Sequence, residues 1–246
     1  MEILDPSTLF TDDAEALDVL KRTLVLCPVY DRPTLPTEML LKLLQDSGAA
    51  IHVNRGISDI ALHRNVITRQ ALDLIDQNPD KFDSIFWLDG DMTASPLHVA
   101  ALCKLAREAD ACVNGLCSRK TDAKAWCLQQ VAADNEEACG VCLTPVVCGL
   151  ACMAMPVKAL QHLYASVPWF TVDVAGIPAL FQSRMVVVDN VAEWHSEDID
   201  FCVTAWEKGV GVFMAPIAFG HLGTFSVLPD PDGHWMPGRV TVQPNL

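Results

Sequence analysis

The stretch Ile85-Phe86-Trp87-Leu88-Asp89-Gly90-Asp91-Met92 constrains this chain more than any other. A short apolar run reads as a buried strand, and it delivers two carboxylates, one glycine apart, to the point where the strand ends. Carboxylates at the tip of a core strand cost on the order of several kcal/mol unless they are paired or bound to a cation. Two readings stand open. Asp-Gly is ordinary turn chemistry; alternatively, the two acids hold a divalent metal and, through it, a diphosphate. On the second reading Gly90 lets the backbone turn tightly without a side chain crowding the ligand.

The 246 residues suffice for a full core, as one α/β domain or two small ones. No apolar run reaches the roughly 18 to 20 residues that span a bilayer, and an N-terminus carrying Glu2 and Asp5 is unlike a signal peptide. A cytoplasmic protein with no membrane span is therefore expected. Its ten cysteines then read as reduced thiols packed as small hydrophobes. Cys139-x-x-Cys142 with Cys148 and Cys152 loosely matches a four-thiolate zinc site, although the second pair is spaced by three in an apolar run. The formal charge of −14 argues against a broad phosphate-binding face. Arg55, Arg64, Arg69, Arg119 and Lys120 are the tight basic candidates.

In chain order, an acidic arm at residues 1–22 contains a possible helix at Asp12 to Lys21. Thr23 to Cys27 reads as a first strand, broken by Pro28. A stiff loop through Tyr30 and Pro33 leads to a helix capped by Thr37, with Met39, Leu40, Leu43 and Leu44 as its apolar face and Gly48 as its stop. A strand at Ala50 to Val53 precedes a helix from Asp59 to Asp76, capped by Ser58, with His63, Arg64 and Arg69 on a polar face away from the core. After the opening stretch, Ser95-Pro96 starts another helix and Ala111 to Gly115 another strand. Repeated strand and helix units favour a mostly parallel sheet.

Beyond Leu116 the pattern is less regular. Ser118-Arg119-Lys120 reads as a basic turn, Trp126 to Val131 as a strand, Ala132 to Ala138 as a polar loop and Pro156 to Tyr164 as a helix. A loop-rich stretch at Trp169-Phe170 precedes a strand at Met185 to Val188. Ser196 caps a helix whose first turn holds Glu197 and Asp198, where the helix dipole favours ionised acids. Those acids can be purely structural. His221 follows a strand from Val210, and a Pro-rich tail or wrapping arm runs from 224 to 246.

Several of these pieces occur in one order: Leu26-Cys27-Pro28-Val29-Tyr30, Ile57 to Asn65, Leu88-Asp89-Gly90-Asp91, Gly115 to Lys120, Ser196 to Cys202, and Gly220-His221-Leu222-Gly223. This set resembles the family-2-like glycosyltransferases of the GT-A fold over approximately residues 23–223. The resemblance implies an α/β, Rossmann-like three-layer sandwich with a mostly parallel central sheet and a nucleotide-diphosphate sugar in the crevice at its C-terminal edge. Asp89 and Asp91 match the family's Asp-x-Asp, Asp91 as the direct ligand of Mn²⁺ or Mg²⁺ and Asp89 shared between metal and ribose. His221 matches the late histidine that completes the metal site. Pro28 and Tyr30 match the loop that contacts the base, and Arg64 the basic residue near the diphosphate. Asp198 matches the base of inverting members, with Glu197 second.

Cys27 departs from the pattern, standing where a small or polar residue is common. The acceptor is open: a glycan, a protein or a modified nucleobase in DNA, the last disfavoured by the acidic surface. A viral source would make the compartment host cytoplasm. Two other classes compete. A metal-dependent nucleotidyltransferase would attack at phosphorus, but it wants a Gly-rich phosphate loop, and residues 27–33 contain no glycine. A non-catalytic sugar-nucleotide-binding module would not need base, metal and histidine candidates together.

Overall fold

Three strand-and-helix units do open the chain. The computed structural model describes residues 3–119, 122–126, 128–130, 143–172, 175–188 and 191–221. Helix α1 (Asp13–Lys21) leads to β1 (Thr23–Val29), α2 (Leu35–Asp46), β2 (Ala50–Arg55), α3 (Ile60–Gln77) and β3 (Ser84–Leu88). The short β4 (Met92–Thr93), α4 (Pro96–Ala109) and β5 (Cys112–Arg119) follow, then β6 (Asp122–Trp126), β7 (Leu128–Gln130), β8 (Thr144–Cys148), β9 (Cys152–Pro156) and α5 (Val157–Ser166). Two hairpins, β10 (Trp169–Val172) with β11 (Ala175–Pro178) and β12 (Arg184–Val188) with β13 (Val191–His195), precede α6 (Glu197–Glu207) and the long β14 (Val212–His221).

The main sheet runs β2-β1-β3-β9-β5-β14-β8-β7. From β2 to β14 the strands are parallel except β9, which lies antiparallel between β3 and β5. Side chains alternate across each strand, so the sheet has two buried faces. Val25, Cys27 and Val29 of β1 pack with α1, α2 and α4 on one face. Leu24 and Leu26 pack with α3, α5 and α6 on the other. The result is an α/β, Rossmann-like three-layer sandwich. Burial on both faces explains why β1 and β3 are near-continuous apolar runs.

Several local expectations change. Pro28 does not break β1, which runs through it to Val29; pairing with β3 ends at Leu26, so no ladder donor is needed from Pro28 on that side. The buried face of α2 is Thr37, Leu40, Leu41 and Leu44, leaving Met39 and Leu43 exposed. Asp59, not Ser58, caps α3, its Oδ1 accepting from the Leu62 N–H at 2.7 Å. Within the segment read as an acidic arm, α1 buries Ala16, Val19 and Leu20 against the core. Trp169-Phe170 belongs to a hairpin rather than a loop, because its strand pairs with Gly176-Ile177. Ser118 and Arg119 continue β5 instead of turning. Lys120, the polar loop at 132–138, Cys139, Cys142 and the tail from 224 lie outside the described residues. Among the described residues no helix is long and apolar enough to cross a membrane.

Candidate active site

The parallel strands deliver β1, β3 and β14 to one edge of the sheet, and the Asp-Gly-Asp turn sits there. The Asp89 N–H donates to the Ala151 carbonyl at 2.9 Å, and the Met92 N–H returns to the Asp89 carbonyl at 3.2 Å. Met92 and Thr93 then form β4, which pairs antiparallel with the end of β14, Met92 opposite His221 and Thr93 opposite Gly220. A side chain at Gly220 would lie 2.6 Å from Thr93 Cγ2, so glycine permits this pairing. The pairing sets His221 Nε2 3.6 Å from Asp91 Oδ1. Two residues 130 positions apart in sequence thus meet.

Gly90 has a different reason from the one its sequence suggests. Its φ is not positive. A Cβ there would lie 2.4 Å from Val29 Cγ1 and 3.5 Å from Pro33 Cα, so what glycine admits is the end of β1 and the loop after it. The Thr34 N–H donates to the Gly90 carbonyl at 2.7 Å, and Thr37 Oγ1 donates to the Met92 carbonyl at 2.8 Å. Pro28 is buried in β1, while Tyr30 is 69% exposed at the strand's end. Of the two residues expected to meet a base, Tyr30 is the one open to a ligand.

Arg64 is only 2% exposed, which overturns the solvated polar face expected on α3. It lies one helical turn before Ile67 on the stripe that continues through Ala71 and Ile75, and that spacing was the available signal for burial. Its Nη2 donates to Asp89 Oδ1 at 3.0 Å and Oδ2 at 3.3 Å, and lies 3.8 Å from Asp198 Oδ1. Its Nε lies 3.9 Å from Glu197 Oε1. Burial disfavours the guanidinium charge, but Asp89, Asp198 and Glu197 outweigh it and hold Arg64 more firmly protonated than usual. Nε and Nη1 are buried without hydrogen-bond partners. His63 beside it is buried too, facing the Asn54 carbonyl at 3.1 Å, and burial lowers its pKa.

Glu197 and Asp198 begin α6, at the position predicted for them. Ser196 occupies the cap position without a side-chain cap hydrogen bond. The dipole argument for an ionised Asp198 is outweighed: burial pushes its carboxyl up to about 7, against the opposing pull of Arg64 and with further upward contributions from Glu197 and Asp89. The nearby Leu150 N–H acts weakly in the opposite direction. Asp198 Oδ1 is buried without a hydrogen-bond partner, yet the side chain as a whole is 25% exposed. A carboxyl poised near neutrality and partly open suits proton transfer. Asp200, two residues on, is fully buried and paired with Arg184 of β12, so it is structural.

The donor set at the turn fits a hard divalent cation. Asp91 and His221 offer a carboxylate and an imidazole across a gap that one ion can bridge, whereas Asp89 is turned toward Arg64. Among the described residues no cluster of three or more His, Cys, Asp and Glu is arranged to hold a metal. Mg²⁺-type sites commonly use one or two protein carboxylates, with phosphates and waters completing the shell. Cys148 and Cys152 are buried free thiols, and Cys148 Sγ accepts from Asn114 Nδ2 at 2.9 Å. Burial, with Asp89 and Asp91 adding to it, pushes the Cys27 thiol up to about 12, so Cys27 fills space rather than reacting.

Two supporting features escape a sequence reading. Asn65 clamps the chain after β11, and Phe181 stacks on Phe201 of α6 at 4.9 Å and meets Trp87 of β3 edge-on at 6.2 Å. The signal for Asn65 was a carboxamide next to the buried stripe of α3; nothing in sequence identified its partner 116 positions away.

No protein-family model matches the chain, and no curated protein does. Among solved structures it is similar to A197 from STIV, with a TM-score of 0.52 and 16% identity over 92% of this chain and 98% of that one. Lower-scoring matches include a glycosyltransferase involved in the glycosylation of the major capsid of PBCV-1, at TM-score 0.33 and 12% identity over 56% of this chain and 61% of that one. The nucleoside-diphosphate-sugar pyrophosphorylase from Vibrio cholerae RC9 matches at TM-score 0.37 and 11% identity over 83% and 77%. At these identities the likeness to A197 is one of fold, the α/β sandwich described above, and the lower-scoring pair adds names but no weight.

Proposed function

We propose that the chain is a metal-dependent glycosyltransferase that moves a sugar from a nucleotide-diphosphate donor to an acceptor hydroxyl with inversion. The observation that carries this reading is the meeting, around Arg64, of the Asp-Gly-Asp turn and the acidic start of α6 at one sheet edge. Asp91 and His221 are the residues that would hold Mn²⁺ or Mg²⁺. Such an ion neutralises charge on a departing diphosphate. Tyr30, with the loop that follows it, would meet the base, and Asp89 the ribose.

Asp198 takes the proton of the acceptor hydroxyl. The acceptor oxygen then bonds to the anomeric carbon as the bond from that carbon to the diphosphate oxygen breaks, the electron pair leaving with the nucleoside diphosphate. Arg64 is too buried to be a primary diphosphate ligand. Its role is to orient Asp89 and to keep Glu197 and Asp198 from repelling one another.

The test is incubation with a panel of nucleotide sugars and Mn²⁺, following nucleoside diphosphate release, with Mn²⁺ affinity measured separately. Expected are metal-dependent release and a loss of about 100-fold or more in Asp91→Ala and Asp198→Asn. Pyrophosphate as the product would point to nucleotidyl transfer instead. Undiminished turnover in Asp91→Ala would sink the reading.

A further inference from the structure

We propose that the outer face of α2 pairs two copies of this chain about a two-fold axis. The helix has already buried Thr37, Leu40, Leu41 and Leu44 against its own sheet. It nevertheless carries a second apolar line on the opposite side: Leu35, Met39 and Leu43 are 69%, 60% and 50% exposed. Residues four apart lie along one surface ridge of a helix, and a helix with only its own domain to pack against needs one such ridge.

The ridge complements itself. In an antiparallel pair centred on Met39, Leu35 of one copy meets Leu43 of the other, since each lies one helical turn, about 6 Å, from Met39 on either side. Glu38 and Lys42 lie on one flank of the ridge, one turn apart, and a two-fold axis keeps that flank on the same side in both copies. Glu38 of each copy then comes beside Lys42 of the other, so the charges match in the arrangement that the apolar side chains favour. Lys42 already pairs with Asp46 along the helix, which holds its ammonium at this flank.

The surface beside the ridge extends the contact. An open groove of about 250 Å³ lies between α2 and β2, its lining including Leu41, Ile51 and Val53 together with the charged Glu38, Lys42 and Arg55. β2 is also the first strand in the order of the main sheet, and a copy packed over this side would shield that edge. The first turn of α2 bonds to Gly90 and Met92, so pairing would also stiffen the mount of the Asp-Gly-Asp turn.

The test is the mass of the full chain in solution by light scattering and sedimentation, from roughly 1 to 100 µM. Twice the chain mass at the upper end is expected. Met39→Glu and the milder Leu43→Gln should each raise the dissociation constant by about tenfold or more with unchanged circular dichroism. Glu38→Lys should weaken pairing, and Glu38→Lys combined with Lys42→Glu should restore it. A chain that stays monomeric at 100 µM overturns the proposal, whatever else covers the ridge. So does a dimer indifferent to Leu43→Gln, or a charge exchange that fails to recover pairing lost in Glu38→Lys.

Discussion

Asn65 and Phe181 are joined in both directions: the Asn65 carboxamide Nδ2 donates to the Phe181 carbonyl at 2.7 Å, and its Oδ1 accepts from the Phe181 N–H at 2.9 Å. Oδ1 also takes the Leu180 N–H at 3.0 Å. One buried carboxamide therefore satisfies three backbone groups of a segment that packs Phe181 between β3 and α6. Asn65→Ala leaves all three unpaired in the interior and should cost about 3 kcal/mol, more than a typical point substitution. Urea unfolding measures it; a loss below about 1 kcal/mol would mean that water replaces the clamp.

Arg64 is the counter-ion to three carboxylates. Arg64→Met leaves Asp89, Glu197 and Asp198 to repel one another in a largely desolvated place, at a cost of about 3 to 5 kcal/mol. The loss should be larger at pH 8 than at pH 5, where protonation relieves the repulsion. Thermal unfolding at both pH values decides this, and a pH-independent loss would contradict it. Arg64→Lys keeps the charge but not the planar fork, and should fall between the two.

Asp198 holds its proton to about 7 in the folded chain, against the ordinary 3.8 when unfolded. Between those values the folded state binds more protons. Its contribution to stability is therefore full below about pH 4, falls as pH rises to 7, and is flat beyond. Asp198→Asn removes that slope, so the variant should gain on the parent steadily from pH 4 to pH 7 when urea midpoints are compared. Transfer activity should run the other way, rising with pH over the same range as Asp198 ionises.

Gly90 is an apposition site. Gly90→Ala drives a methyl into Val29 Cγ1 and should cost about 1 to 3 kcal/mol. Gly90→Ala with Val29→Ala should recover part of the loss, and a double-mutant cycle reads the coupling directly. Additive losses would show that the strain lies in the backbone and not in this contact.

Much of the fold is visible in the chain itself because its strands are buried on both faces. Leu24 to Val29 and Ile85 to Leu88 are apolar throughout and short, and flanked by turn residues such runs read as interior strands. Met39 and Leu43 mislead for a related reason: periodicity finds apolar lines, and α2 has two, of which only contact with the sheet selects one. Arg64 was expected in solvent because charged residues are seldom buried. Its burial depends on Asp89, Glu197 and Asp198 arriving from two other elements, which no local window contains. The antiparallel β9 is equally hidden. Cys152 to Pro156 is a small-residue apolar run, and it keeps the direction of β8 through the short connection at 149–151, both strands opposing β5 and β14, which no local pattern states.

That connection sets the scale of the site. The Leu150 amide lies near enough to Asp198 to lower its pKa, while the next residue, Ala151, offers its carbonyl to the Asp89 N–H. Two neighbouring residues therefore border both halves of the site. The gap between the turn that would grip a donor and the acid that would receive a proton is gauged by the backbone of two consecutive residues, Leu150 and Ala151, not by long side chains that can swing. An insertion or deletion at Gly149 to Ala151 would change that gauge while leaving every functional side chain in the chain, and so would uncouple holding a substrate from reacting with it.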